Sequence, residues 1–327
     1  MDNLDKKLLN LLQTDFPLAG APFAVLGARL GISEDEAIRR TKTLKERGII
    51  RQIAAIFDST ALGHRSSLVA FSVPDDRVEE VAGIVNAHPG VSHNYERTHA
   101  YNLWFTITVP PGTALEAEVD RLAAQARPRA VRMFPTVRLF KIGVAFDMTG
   151  TDRSGTPRPN APGRSEPIEI DQEDVRAIRA LQRDLPIERR PFATLAQGVG
   201  MSEAELIARA RALAEVGAMR RYAAVLRHRE AGFAANAMAV WAVPEDRVEE
   251  AGRKMAAHPA VSHCYQRTTY PDWPYSVFTM VHGRSPRDCE KAARELSDAA
   301  GITDYLLLYS TREFKKTSVQ YYEHEDR

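Results

Sequence analysis

The chain has 327 residues, 44 Lys and Arg against 43 Asp and Glu, a formal net charge of +1, and 44% hydrophobic side chains. That length suits about two ordinary domains, and the apolar content supports sizeable cores and excludes a disordered chain. Near-neutral charge argues against a nucleic-acid-binding module, which needs a surplus or a segregated patch of cations. Two cysteines, Cys264 and Cys289, make no disulfide framework, so a reducing cytoplasm is expected. The first residues lack the basic start and apolar run of a secretory signal, and no apolar stretch approaches the roughly 20 residues of a membrane span.

In chain order, Leu4, Leu8, Leu11 and Leu12 fall at helical spacing. Phe23 to Leu30 reads as a second short helix and Gly31-Ile-Ser33 as a tight turn. Ser33 is a natural N-cap with Glu36 at the capping-box position, and Gly48 is a natural stop for the third helix. Ile49 to Phe57 is rich in β-formers and is expected to begin a strand pair, which completes a winged helix-turn-helix. The following segments read β-α-β-β-α-β. Ser67 to Val73 is a strand, Asp76 to Ala87 a helix, and Val91 to Arg97 and Leu103 to Val109 are strands. Leu115 to Ala126 is a helix and Val131 to Phe140 the last strand, the split βαβ arrangement of a ferredoxin-like sandwich.

The chain then repeats itself. Asp15-Phe-Pro returns as Asp184-Leu-Pro, Leu30-Gly-Ile-Ser-Glu as Val199-Gly-Met-Ser-Glu, and His88-Pro-Gly-Val-Ser-His as His258-Pro-Ala-Val-Ser-His. This is a tandem duplication. The expected fold class is α+β, each copy a winged helix-turn-helix followed by a ferredoxin-like βαββαβ domain. The boundaries are 1–60 and 61–148 for the first copy, 149–167 for a Gly-, Pro- and Ser-rich linker, and 168–229 and 230–327 for the second. One such sandwich leaves a sheet face bare, so the copies are expected to dock as an intramolecular pseudo-dimer; further pairing as a homodimer stays open.

These segments carry a resemblance. Asp5-Lys-Lys-Leu-Leu-Asn-Leu-Leu12 and Leu30-Gly-Ile-Ser-Glu-Asp-Glu-Ala-Ile-Arg-Arg40 resemble the opening of the leucine-responsive/AsnC regulator family. Tyr95-Glu-Arg-Thr-His-Ala-Tyr-Asn-Leu-Trp-Phe105 and Cys264-Tyr-Gln-Arg-Thr-Thr-Tyr-Pro-Asp-Trp-Pro-Tyr275 resemble a narrower branch, the sirohaem decarboxylases. The first half looks like one subunit type of that family (NirD/AhbA) and the second, with Arg227-His-Arg-Glu-Ala-Gly-Phe-Ala-Ala-Asn-Ala-Met238, like the other (NirL/AhbB). The resemblance implies loss of two acetate carboxylates from sirohaem, giving 12,18-didecarboxysirohaem and carbon dioxide. It implies no organic cofactor, and the iron belongs to the sirohaem substrate. Sirohaem and its decarboxylated products would be the partners, with neither DNA nor a membrane.

An octacarboxylate macrocycle calls for Arg and His to hold anions and aromatic faces for the ring. His93, Tyr95, Arg97 and His99 alternate along a strand and are expected to share one face, as are His263, Tyr265 and Arg267. Tyr101, Trp104, Tyr270, Trp273 and Tyr275 supply further aromatic surface, and the unusual Tyr270–Tyr275 string reads as functional rather than as packing. His99, as an imidazolium able to anchor a carboxylate, is the first expectation for the proton donor, with Thr269 in its place in the second copy. His228 is the second, beside Arg229. Arg51, Arg220 and Arg221, at the start of the wing strands, are placed on the pocket rim. His64, His88, His258, His282 and His324 read as structural or surface residues. No metal-ligand or nucleotide-loop spacing occurs, so no metal site of the protein's own is expected. Two rivals share these features: a DNA-binding regulator reading through Arg39, Arg40, Lys42, Lys45 and Arg47 of the third helix, and a sensor that binds a tetrapyrrole without transforming it.

Overall fold

The computed structural model describes residues 1–142, 166–226 and 235–323. In the first copy, α1 (Asn3–Thr14), α2 (Pro22–Leu30), α3 (Glu34–Glu46) and β1 (Ile50–Phe57) come first. They are followed by β2 (Arg65–Ser72), α4 (Val78–Ala87), β3 (Val91–Arg97), β4 (Leu103–Val109), α5 (Leu115–Ala126) and β5 (Ala130–Ile142). The second copy repeats the order with α6 (Gln172–Leu181), α7 (Pro191–Gln197), α8 (Glu203–Glu215) and β6 (Met219–Leu226). Its remaining elements are β7 (Ala235–Trp241), α9 (Val248–Ala257), β8 (Val261–Arg267), β9 (Val277–Gly283), α10 (Pro286–Ala300) and β10 (Tyr305–Lys316).

Two compact units result, and each collects one kind of module from both copies. Met1–Gly63, Val144–Gly232 and Gln320–Arg327 make the first, and His64–Gly143 with Phe233–Val319 the second. The end of the chain therefore departs from its expected place in the second ferredoxin-like domain. The Gln182 side chain clasps the Tyr321 backbone through both its amide atoms, at 3.1 and 2.8 Å, and the Tyr321 hydroxyl meets Ser59 Oγ at 2.7 Å.

In the first unit the wing is built across copies. β1 pairs antiparallel with β6, with Ala54 opposite Ala223 and Ala55 opposite Tyr222, instead of with a strand of its own copy. Asp58 ends β1: its carboxylate accepts from the Thr60 and Ala61 amides at 3.0 and 3.4 Å, and a hairpin return does not form. Phe16, Phe192 and Tyr222 join the copies through ring contacts of 5.3 to 6.4 Å. Several cations of α3 and α8 find partners inside the unit. Arg40 meets the α1 capping acids Asp2 and Asp5 at 2.8 and 2.7 Å, and Arg209 meets the α6 capping acids Asp171 and Asp174 at 2.9 and 3.0 Å. Arg39 binds Glu36 and Lys45 binds Asp184, while Arg211 donates to the Leu18 carbonyl.

In the second unit each copy forms a four-stranded antiparallel sheet, β3-β4-β2-β5 and β8-β9-β7-β10. The two close into one barrel, because β10 pairs with β3 and β5 with β8. Helices cover the outside. Val69, Phe71, Val81, Val85, Phe105 and Val119 form the outer core of the first sheet; Ala239, Trp241, Met255, Val281, Ala293 and Leu296 form that of the second. The inward faces meet in a third core built on Trp104, Phe134, Met238, Val240, Trp273 and Phe278. The long last strand of each copy makes this closure possible: its first half serves its own sheet and its second half the other. Closure also removes the unpaired edges that an isolated sandwich would expose.

Candidate active site

Each edge where the sheets join starts with a bulge, between Val91 and His93 and between Val261 and His263. Beyond it, Asn94 points outward and donates to Asn86 Oδ1 of α4 at 3.0 Å. Tyr95 pairs across the strands with Trp104, and Tyr265 with Phe278, both residues of the inner core. Directly opposed residues share a face. His93, Tyr95 and Arg97 therefore look into the barrel together, as do His263, Tyr265 and Arg267. The imidazoles stack on their tyrosines at 6.2 and 6.1 Å, and the guanidiniums lie over the same rings at 5.4 and 4.6 Å.

The two arginines have unusual surroundings. Arg97 Nη1 donates to the Leu308 carbonyl at 3.1 Å, and Arg267 Nη1 to the Phe134 carbonyl at 2.6 Å. Both Nε atoms are buried with no hydrogen-bond partner. Neither guanidinium has a carboxylate partner among the described residues. Desolvation pulls each pKa down to about 10. A shielded cation without a counter-charge is costly, and a ligand carboxylate would relieve that cost.

His99 lies elsewhere than expected. β3 ends at Arg97, and the chain turns there with the His99 amide donating to the Arg97 carbonyl at 2.9 Å, so His99 does not continue the strand face. Its ring is parallel to Tyr101 at 6.1 Å and edge-on to Trp273 at 5.1 Å. The Tyr101 amide donates to Nδ1 at 3.0 Å, which leaves the ring proton on Nε2. Burial lowers the pKa below that of a free histidine. The neutral donor form is favoured over the anchoring imidazolium.

The aromatic set divides. Trp104 and Trp273 are each 1% exposed. Trp104 stacks on Phe134 at 5.4 Å and gives its indole N–H to the Tyr101 carbonyl at 2.6 Å. Their faces are covered by one another, so they fill the barrel and do not offer a platform for a flat ligand. Within the Tyr270–Tyr275 string, Trp273 is thus accounted for by packing, whereas Pro271, Asp272 and Pro274 are exposed. Tyr270 and Trp273 exchange backbone hydrogen bonds of 2.9 Å, and Tyr275 lies edge-on to Trp273 at 5.3 Å. Asp272 clamps the string: Arg132 holds it at 3.1 and 3.0 Å, and the Tyr101 hydroxyl donates to it at 2.8 Å. Outside this plug, an open cleft of about 830 Å³ passes Arg267, Thr269, Tyr270 and Glu245.

Arg51, Arg220 and Arg221 belong to the first unit, whereas the barrel residues belong to the second. Arg220 instead makes a buried ion pair with Asp58 at 2.8 Å, and desolvation, followed by the charge of Arg220, lowers the Arg221 pKa. His228 and Arg229 lie outside the described residues. His88 and His258 do cap helices, each accepting a backbone amide two residues on and meeting a glutamate at 3.1 Å. Sequence reading missed His282. It faces the barrel, and Ser262 Oγ bridges it to His263, 2.7 Å from His282 Nε2 and 2.8 Å from His263 Nδ1. The period-two alternation of β9, with Phe278 and Met280 inside, was the available signal. Among the described residues no cluster of His, Cys, Asp and Glu could hold a metal ion, and no helix is long and apolar enough to cross a membrane.

Comparison with known proteins agrees with this architecture. Residues 61–141 and 230–315 match the model of an AsnC-like ligand binding domain, and residues 5–51 and 174–220 that of the siroheme decarboxylase NirDL-like HTH domain. A siroheme decarboxylase of Hydrogenobacter thermophilus is 43% identical, with 99% of this chain and 97% of that protein covered. The beta subunit of the Methanosarcina barkeri siroheme decarboxylase is 48% identical over 46% of this chain and 99% of its own length, so one separate subunit spans about one copy. The crystal structure of the siroheme decarboxylase NirDL in co-complex with an iron-uroporphyrin III analogue superposes with a TM-score of 0.75 at 41% identity, covering 98% of this chain and 94% of that one. A duplicated helix-turn-helix and AsnC-like pair, matched end to end, places the chain in the siroheme decarboxylase family, in its fused form.

Proposed function

We propose that the protein decarboxylates sirohaem, removing two acetate carboxylates to give 12,18-didecarboxysirohaem without an organic cofactor. The observation that carries this reading is the pair of desolvated guanidiniums, the buried Arg97 and the half-buried Arg267, whose Nε atoms are shielded and which have no acidic partner among the described residues. They sit where carboxylate arms of a polyanionic macrocycle would complete them. Tyr95, Tyr265, His93 and His263 flank them as further donors.

Loss of carbon dioxide from an acetate arm leaves carbanion-like density on the exocyclic carbon, which the macrocycle delocalises. The protein's tasks are then to hold the carboxylates, exclude water from the departing one and deliver a proton. Each event converts a CH2–COO⁻ arm and one proton to a methyl group and carbon dioxide. His99, neutral and carrying its proton on Nε2, is the proposed donor for one of the two. Delivery at Nε2 needs no charged imidazole in the resting site.

Against the regulator alternative, three of the five cations it would use, Arg39, Arg40 and Lys45, face carboxylates within the first unit. The test is anaerobic incubation with sirohaem, followed by mass spectrometry. Two successive losses of one carbon dioxide each are expected. Sirohaem that is bound but intact after prolonged incubation would leave the protein a tetrapyrrole sensor and end the proposal.

A further inference from the structure

We infer that copy 2 supplies the proton for one of the two decarboxylations along a hydrogen-bonded line, His282–Ser262–His263, that the described residues of copy 1 do not repeat. This rests on the sirohaem reading above and assigns two positioning residues to it, Ser262 and His282. Ser262 Oγ lies 2.7 Å from His282 Nε2 and 2.8 Å from His263 Nδ1. A hydroxyl has one proton to give; the Met280 carbonyl lies farther off, at 3.4 Å, than either ring nitrogen, so the hydroxyl donates to one ring and accepts from the other. The tautomers of the two imidazoles are thereby coupled. When His282 carries its proton on Nε2 and donates to Ser262, Ser262 donates to His263 Nδ1, and His263 must carry its proton on Nε2.

The delivery step balances. The C–C bond to the carboxylate breaks, and its electron pair passes to the exocyclic carbon and the macrocycle. The His263 Nε2 proton goes to that carbon, the Ser262 proton to His263 Nδ1, and the His282 Nε2 proton to Ser262. His282 takes up one proton on Nδ1 from water. Both rings end neutral, in their other tautomers, and the line resets against water once product has left.

Three observations set this cluster apart from ordinary core polarity. His282 and His263 both face the barrel interior, since His263 pairs with Met280 of the inner core and His282 continues the alternation of Phe278 and Met280. Burial, reinforced by the charge of Lys316, pushes His282 down to about 4, so the ring is neutral, with one protonated and one unprotonated nitrogen. Copy 1 supplies the control: Ser92 Oγ meets His93 Nδ1 at 3.0 Å, but Thr108 stands in place of His282, its hydroxyl donating to Ser66 at 3.2 Å. Threonine has no imidazole to carry the line further, and among the described residues Ser92 meets one ring.

Ser262→Ala and His282→Gln are to be assayed anaerobically with sirohaem, the product masses being followed in time. Glutamine keeps an N–H donor near the Nε2 position but cannot pass a proton on, which separates relay from packing. Both variants are expected to bind sirohaem as the parent does and to slow one of the two mass losses about a hundredfold, the scale of a lost general acid, while the other keeps the parent rate, so that the species before the slowed step accumulates. The slowed step in Ser262→Ala should lose its solvent deuterium isotope effect dependence on more than one proton, and Ser262→Thr should restore the parent rate. Wild-type rates for both steps would overturn the line, as would equal slowing of both, which marks a packing defect. A parent protein that leaves sirohaem intact fails the functional reading instead.

Discussion

The two joined edges of the barrel start from the same materials and diverge in what surrounds them. Both present a His-x-Tyr-x-Arg face, both stack the rings, and both leave an arginine Nε without a partner. At the β3 edge, β10 sets Glu313 opposite Tyr95 and Lys316 opposite His93; at the β8 edge, β5 sets Leu139 and Ile142 in those places. The connection after β3 is residues 98–102 and carries His99, whereas that after β8 runs from 268 to 276 and sends Trp273 into the barrel. Duplication thus kept the anchoring groups twice and placed the differences in connections and cross-strand neighbours. Anchoring benefits from repetition when a ligand has many carboxylates. Proton delivery to two particular arms does not require two identical donors.

The largest expected effect comes from removing the residue that most distinguishes the second edge. Trp273 is packed against Trp104, Phe134, Tyr275 and Phe278 at centroid distances of 5.3 to 6.3 Å. Trp273→Ala should cost about 3–5 kcal/mol, the range for a large aromatic truncated in a core, read by urea denaturation. A loss below about 1 kcal/mol would mean that the plug is not structural.

The arginines test the shared part of the comparison. Replacing a shielded cation that has no counter-charge by an apolar residue of similar length is often neutral or stabilising. Arg97→Met and Arg267→Met should therefore leave the thermal midpoint unchanged or higher, while sirohaem affinity falls by about tenfold to a hundredfold, the worth of a charge-assisted hydrogen bond. Unaltered affinity in both would remove the arginines from the anion site. A drop in one alone would show which edge holds the substrate.

How far the sequence reveals all this follows from the range of the interactions concerned. β3, β4 and α5 are readable to the residue from period-two and helical spacing, because those patterns are local. The strand that pairs with β1 is not, since β6 lies in the other copy and nothing near Phe57 names it. His99 looks like the next inward position after Arg97 until the turn ends the strand. The Tyr270–Tyr275 string looks catalytic because its composition is rare, and only the barrel interior shows that Trp273 fills space. His282 looks ordinary because its partner, Ser262, is reached through the sheet register and not through the chain.

A smaller effect separates the two serines. Ser92 and Ser262 make the same contact with the histidine that follows them, but among the described residues only Ser262 leads to a second ring. Ser92→Ala should slow either decarboxylation by no more than about threefold, the order of one ordinary hydrogen bond, as read from the same time courses. Slowing by Ser92→Ala as large as that by Ser262→Ala would make the edges equivalent and erase the contrast.

The smallest effect concerns how the second connection is held. Asp272 is paired with Arg132 and accepts from Tyr101, and these partners, Arg132 foremost, hold its carboxyl below the ordinary value of 3.8. A folded-state pKa below the unfolded one means that the unfolded chain binds more protons in that window, so the contribution is present above the unfolded pKa and disappears as pH falls through the folded one. Asp272→Asn should accordingly lower the thermal midpoint slightly at pH near neutrality, and the two midpoints should converge as the solution is taken below about pH 4. The side chain is 45% exposed, so added salt should shrink the neutral-pH difference. A difference that persists in acid would trace the role of Asp272 to packing of the string and not to its charge. The first copy has no matching acid between residues 98 and 102, so this acid-sensitive clasp belongs to the second connection, together with the tryptophan it holds in place.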